Sequence, residues 1–378
     1  MILETSAAAA PRRFVSLDVF RGVTIFLMIL VNTAGAGADA YPIMVHSKWF
    51  GFTLADFVFP SFLFAMGNAM CFSLRKPTPS GLYLRRIVQR GATIFLLGYL
   101  MYWFPFFYRD PHGWTLIPFS QTRVMGVLQR LGLSYIAAGI LVRWLTPRQL
   151  IMASAVLLLG YWAILVGFAQ PGMAYDKFAN AGTRLDLWLF GQGHLYKKDG
   201  GFDPEGLLGT IPSIVNVLAG YLVGRAILRS SRMGFTAFAI AAAGAALTAA
   251  GLIWSPWFPI AKKLWTGSYV LLSVGLDCIL LALLIALIEL RGKTKGTRFF
   301  TILGRNPLAI YLFSELFVTA LNMVRTPGGV PLYNWLGIAV FQQLAPGPLG
   351  SLLCALFYTM LCWALGWVLD RKGLMLRV

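Results

Sequence analysis

Apolar runs of about twenty residues recur along the chain from Phe14 to the end, separated by short joints rich in Arg, Pro, Gly and Asp. A helix rises about 1.5 Å per residue, so roughly 20 apolar residues cross the hydrocarbon layer. The runs predict ten spans, at 14–34, 51–74, 85–104, 123–144, 149–169, 207–228, 235–254, 266–290, 299–322 and 348–370. The predicted fold class is all-α: a polytopic helical bundle in a membrane. Residues 1–13 read as a cytoplasmic tail and 14–378 as a single transmembrane domain. No internal repeat of the kind that builds two-halved transporters is evident. Three joints on one side are long, at 35–50, 105–122 and 170–206, and a further polar and aromatic segment runs from 323 to 347.

Composition agrees with this pattern and adds the orientation. The chain is 58% hydrophobic and 12% charged, with a mean hydropathy of +0.71. A net charge of +18 and a pI near 10.1 would in a soluble protein suggest a nucleic-acid partner. In a membrane protein the first question is where the positive charge lies, because Lys and Arg accumulate in cytoplasmic loops. With the N-terminus in the cytoplasm, 19 of the 32 basic residues fall on the cytoplasmic side, 10 on the opposite side and 3 inside spans. Both termini are therefore expected in the cytoplasm, and no nucleic acid is needed to explain the charge. The four cysteines lie in apolar runs without a CxxC pair, so neither a metal site nor a disulfide framework is expected. The N-terminal "MILETSAAAAPRRF" lacks the basic-then-apolar order of a signal peptide, which predicts an uncleaved first span.

Chemistry enters where polar residues interrupt the spans. Asn32, Asp56, Arg130, Asn216, Asp277, Arg305 and Glu315 sit in apolar runs, with Asp18 and Arg21 near the start of the first. An ionisable group in hydrocarbon costs several kcal/mol unless it is paired or faces water. So many imply a polar cavity, hence a protein that moves or modifies a polar molecule. For single members pairing is the competing explanation, as for Asp18 with Arg21 three residues on. All three histidines, His46, His112 and His194, fall in the long joints, where a polar ligand would meet them.

"SLDVFRGVTIFLMILVN" at 16–32 resembles the opening span of the transmembrane N-acetyltransferases related to heparan-alpha-glucosaminide N-acetyltransferase. The resemblance continues in order through "HSKWFGFTLADFVFPSFLFAMG" at 46–67, "GVLQRLGLSY" at 126–135, "GHLY" at 193–196, "FDPEGLLGTIPSI" at 202–214, "KKLWTGSYV" at 262–270 and "GRNPLAIY" at 304–311. It implies acetyl transfer from cytosolic acetyl-CoA, as co-substrate, to a glucosamine-type amine on the periplasmic side. It also implies an integral protein of a bacterial inner (cytoplasmic) membrane and a homodimer. The competing class is a transporter of a sugar or related solute, which would need the same polar cavity.

Within that resemblance His46 matches the family's active-site histidine. An amine attacks a thioester only when unprotonated, and a group with a pKa near 6.5 suits its deprotonation. His46 could instead carry the acetyl group as a covalent intermediate. Asn32 is a candidate for hydrogen-bonding the acetyl carbonyl, or else a helix C-cap before "TAGAG". Asp56 could orient His46, contact the sugar or pair with a buried Arg. Asp203, Glu205 and His194 are candidates for binding the acceptor, although acids beside Pro204 also suit a helix N-terminus. Arg21, Arg130, Arg305 and Asn306 are candidates for the donor's phosphates, with Asp277 and Glu315 as alternative partners of the buried arginines.

Overall fold

The computed structural model describes residues 14–74, 78–110 and 113–376. The 1–13 tail and His112 lie outside these residues. The helices are α1 (Val15–Asn32), α2 (Leu54–Ser73), α3 (Ser80–Trp103), α4 (Val127–Trp144), α5 (Pro147–Phe168), α6 (Ala181–Phe190), α7 (Thr210–Leu228), α8 (Met233–Trp254), α9 (Gly267–Leu284), α10 (Thr297–Arg305), α11 (Pro307–Met323), α12 (Leu332–Trp335), α13 (Gln342–Leu344) and α14 (Pro348–Arg371). A small antiparallel pair, β1 (Phe107–Asp110) and β2 (Gly113–Leu116), occupies the expected joint at 105–122, with Phe107 opposite Leu116.

Among the described residues, seven helices are long and apolar enough to cross a membrane: α1, α2, α5, α7, α8, α14, and α9 with its π-helical extension to Leu290. The other three predicted spans fall on α3, on α4, and on α10 followed by α11. The last pair is broken at Asn306–Pro307. Pro307 has no N–H to continue α10 and restarts the helix as its first residue.

In α2, 78% of the residues in its most apolar window are buried, against 22% for α5 and α8, so α2 is the central helix and those two face outward. Glycine brings the central helices into backbone contact. A Cβ on Gly67 would stand 2.0 Å from the Val217 carbonyl oxygen, and one on Gly220 2.0 Å from that of Phe64. Such small-residue seams are how helices associate where lipid provides no hydrophobic drive. Buried polar groups tie α7 to α4 and to α9 and the segment before it. Ser134 and Ser213 hydroxyls meet at 2.7 Å, Trp265 Nε1 donates to Asn216 Oδ1 at 3.1 Å, and Asn216 Nδ2 donates to Ser273 Oγ at 3.3 Å.

Candidate active site

The site grows from the first turn of α2. Thr53 caps the helix, accepting from the Asp56 amide, and Asp56 returns a bond to the Thr53 amide at 3.1 Å. Asp56 Oδ2 also accepts from the Thr53 hydroxyl and the Ser47 amide, each at 3.1 Å. Its Oδ1 meets His46 Nδ1 at 2.9 Å. Asp56 is fully buried, and a carboxylate with this many donors is ionised, so His46 carries its proton on Nδ1. Nε2 is then the free, basic nitrogen. Pro60 cannot donate to the carbonyl of Asp56 four residues back, and the hydroxyl of buried Tyr269 takes that acceptor at 2.7 Å. The helix turn that orients the histidine is thereby fastened to α9.

His46 Nε2 faces Lys262 Nζ at 3.5 Å. The lysine stands just before α9, and Gly51 N donating to Ile260 O at 2.9 Å joins its segment to the histidine loop. Crowding by the surrounding protein, together with the charge of Lys262, lowers the His46 pKa below its ordinary 6.5, with Asp56 and Glu205 opposing. The ring is therefore neutral at neutral pH, while its side chain keeps 40% exposure. Burial likewise lowers the pKa of Lys262, against the opposing charge of Glu205, whose Oε1 lies 4.0 Å away.

Arg123 anchors the acidic side. Its guanidinium bonds Asp203 through Nε at 2.9 Å and Nη2 at 2.5 Å, and Glu205 through Nη2 at 2.6 Å. Burial alone would raise the Glu205 carboxyl, but the charges of Arg123, Lys262 and Arg130 outweigh it and hold it low. Arg123 is also sandwiched between the rings of Tyr102 and Tyr196, at 4.9 and 4.5 Å. His194 Nδ1 meets the Thr122 carbonyl at 2.7 Å, so this histidine holds the segment that carries Arg123. The long loop closes the same end: Trp49 Nε1 donates to Tyr175 O at 2.9 Å, and Asp199 binds both Lys177 and Lys263, at 3.0 and 2.7 Å.

The predicted residues therefore divide between two ends of the bundle. His46, Asp56, Asp203 and Glu205 come together, with His194 behind Arg123. Asn32 ends α1 at this end, and its Nδ2 donates to Glu315 Oε1 at 3.5 Å. Arg21, Arg305 and Asn306 occupy the opposite end. There Arg21 pairs with Asp18, Arg305 pairs with Asp370, and Asn306 accepts from the Leu376 amide at 2.9 Å. Arg130 does not join them. It is buried near the His46 end, donating to the Gly206 carbonyl at 2.9 Å and lying 4.7 Å over the Trp265 ring. Neither Arg130 nor Arg305 forms an ion pair with Asp277 or Glu315, the alternatives raised by the sequence. Arg123, Lys262 and Tyr269 were missed. Lys262 and Tyr269 lie inside "KKLWTGSYV", but a lysine pair at a span mouth reads as ordinary loop charge.

The catalytic-domain model of heparan-alpha-glucosaminide N-acetyltransferase matches residues 13–254. The Homo sapiens heparan-alpha-glucosaminide N-acetyltransferase is 29% identical over 370 residues, covering 82% of this chain and 54% of its own. Its Mus musculus counterpart is 28% identical over 370 residues, covering 83% of this chain and 55% of its own. The chain thus spans about half the length of the curated relatives it matches.

Proposed function

The chain belongs to the heparan-alpha-glucosaminide N-acetyltransferase family, and from that premise we propose that it transfers an acetyl group from cytosolic acetyl-CoA to the amine of a glucosamine-type sugar on the periplasmic side of a bacterial inner membrane. The observation that carries the reading is the His46–Asp56 pair at 2.9 Å, with the free Nε2 turned toward Lys262. This is a base held in one tautomer beside a buried lysine.

In this reading all ten predicted helical segments cross the membrane, with both termini in the cytoplasm. Acetyl-CoA is a polyanion and its nucleotide stays at the basic cytoplasmic face, where Arg21, Arg305 and Asn306 are candidates to meet it. Its pantetheine arm reaches through the polar interior toward His46. The amine nitrogen attacks the thioester carbonyl carbon while His46 Nε2 takes its proton. Lys262 supports the oxygen as it gains charge. The carbon–sulfur bond then breaks and the sulfur leaves as the thiol after protonation. Direct attack asks less than an acetyl-histidine, because no labile acyl-imidazole has to be kept from the water at this exposed ring.

The test is to give purified protein acetyl-CoA and glucosamine and follow free CoA. Release that depends on both substrates supports the reading. Glucosamine uptake into proteoliposomes with no CoA released would favour a transporter instead. Acetyl label retained on the protein from acetyl-CoA alone, and lost in His46→Ala, would replace direct attack by a covalent intermediate.

A further inference from the structure

The stretch "FDPEG" at 202–206 folds as a β-turn. Gly206 N donates to the Asp203 carbonyl at 3.0 Å, with Pro204 and Glu205 at the corner, and Asp203 Oδ1 accepts from the Glu205 amide at 2.9 Å. Asp at the first position, Pro at the second and Gly at the fourth suit such a turn. The turn presents Glu205 to Arg123 at 2.6 Å and, at 4.0 Å, to Lys262, whose Nζ faces His46. The peptide unit that follows, Gly206–Leu207, is held at both ends. Its carbonyl accepts from Arg130 Nη2 at 2.9 Å, and its N–H donates to Asp186 Oδ1 at 3.0 Å.

Asp186 lies on α6 and Arg130 on α4, and both are buried. They line one polar pocket together with Asp203, Gly206 and Lys263. Two opposite charges so placed could neutralise each other, yet among the described residues Asp186 forms no ion pair within 4.0 Å. Each is used on the peptide instead, the guanidinium on its oxygen and the carboxyl on its N–H, which is the orientation that a peptide dipole favours. A peptide beside glycine needs such holding, because glycine leaves the backbone free to rotate. Gly206 also makes room for the arrangement: a Cβ there would stand 1.9 Å from Asp186 Oδ2. Burial, with the charge of Asp203, pushes the Asp186 carboxyl up to about 7, against the Leu207 bond and the charge of Arg130. Protonated or ionised, it keeps an oxygen that accepts from the amide.

We propose that Asp186 and Arg130 are positioning residues: by holding the Gly206–Leu207 peptide they fix the turn that keeps Glu205 beside Lys262, and so set the charge around His46. The proposal rests on the acetyltransferase reading for its bearing on turnover, whereas the arrangement itself is read without activity. Without the Asp186 oxygen the buried Leu207 N–H is left unpaired, so the peptide turns toward another acceptor and Glu205 moves with it. Burial and the charge of Lys262 lower the His46 pKa, and Asp56 and Glu205 raise it. Withdrawing Glu205 therefore lowers it further. His46 titrates below 6.5, where Asp186 is mostly protonated, so Asp186 acts there through the turn and not through a charge of its own.

The test reads the His46 pKa directly, by NMR titration of the purified protein carrying ring-labelled histidine, with His46→Ala assigning the signal among the three histidines. Glu205→Gln should lower that pKa by about half a unit, less than the roughly 1–3 units of a charge in direct contact. Asp186→Ala should lower it as well. In the double variant the two shifts should not add, because both act through one carboxylate. Gly206→Ala displaces the Asp186 carboxyl by a different route, keeps every polar side chain, and should give the same shift. Asp186→Asn, which keeps an oxygen for the Leu207 amide, should titrate as wild type does. The idea is overturned if Asp186→Ala and Gly206→Ala leave His46 titrating as in wild type, or if the Asp186 and Glu205 shifts add. The expected shifts in a protein that releases no CoA from acetyl-CoA and glucosamine would count against the acetyltransferase reading alone.

Discussion

At the scale of single residues, the site turns on how the charge of Lys262 acts on His46. A general base works only when deprotonated, and both crowding and Lys262 lower the His46 pKa. Turnover should accordingly rise with pH through a value below 6.5 and level off by neutrality. Lys262→Met removes one of the lowering influences, so the acid limb should move to higher pH while the plateau falls. The limb is read in kcat, which reports the bound complex, because the free amine titrates as well. A limb that stays put or moves to lower pH would refute the coupling. His46→Ala should lower turnover by about 10²-fold or more, the usual loss with a general base, while acetyl-CoA still binds. His46 and Asp56 were legible in the sequence because one resembling stretch carries both, ten residues apart. Lys262 was not, because only the fold brings a residue 216 positions away within 3.5 Å of the imidazole.

At the scale of elements, α2 carries the site and two features of its sequence determine how it sits. Pro60 frees a carbonyl that Tyr269 occupies, so Tyr269→Phe should leave a buried acceptor unsatisfied at a cost of about 1–3 kcal/mol. Its mark should be a lower unfolding temperature in detergent together with reduced turnover, since the same turn orients Asp56. Gly67 meets the backbone of α7, and a methyl group placed 2.0 Å from an oxygen cannot be accommodated without separating the helices. Gly67→Ala should therefore destabilise strongly. Gly81→Ala, where nothing lies within 4 Å, should be neutral or stabilising by up to about 1 kcal/mol. Equal effects of the two substitutions on thermal stability would contradict this account of the seam. Hydrophobic run length predicted where helices lie but not the break at Asn306–Pro307, because both halves are apolar and only the missing Pro307 N–H divides them. The hairpin at 107–116 was missed for a related reason: four-residue strands are too short to show a period between aromatics.

At the scale of the molecule, the two ends of the bundle differ in chemistry, and the proposed sides in the membrane rest on charge. The end with His46 collects carboxylates matched by Arg123 and Lys262. The other end holds Arg21 and Arg305, each paired with an aspartate, and adjoins the loops richest in arginine and lysine. Basic loops stay in the cytoplasm because moving them across the membrane is unfavourable, and the proposed orientation accordingly puts the Arg305 end in the cytoplasm and the His46 end on the far side. Donor and acceptor sides depend on this assignment, since acetyl-CoA cannot cross lipid. A reporter active only outside the cytoplasm should be silent when fused after Arg232 or after Lys293, and active when inserted within 175–200. The opposite pattern would invert the bundle, put His46 on the cytoplasmic side, and require the sugar rather than the acetyl group to be the partner that crosses. The charge count alone would then have misled, because the 170–206 segment carries four basic residues of its own. The ion pairs of Lys177 and Lys263 with Asp199 and of Arg123 with Asp203 and Glu205 argue that much of this end's positive charge is spent on local structure and does not oppose translocation.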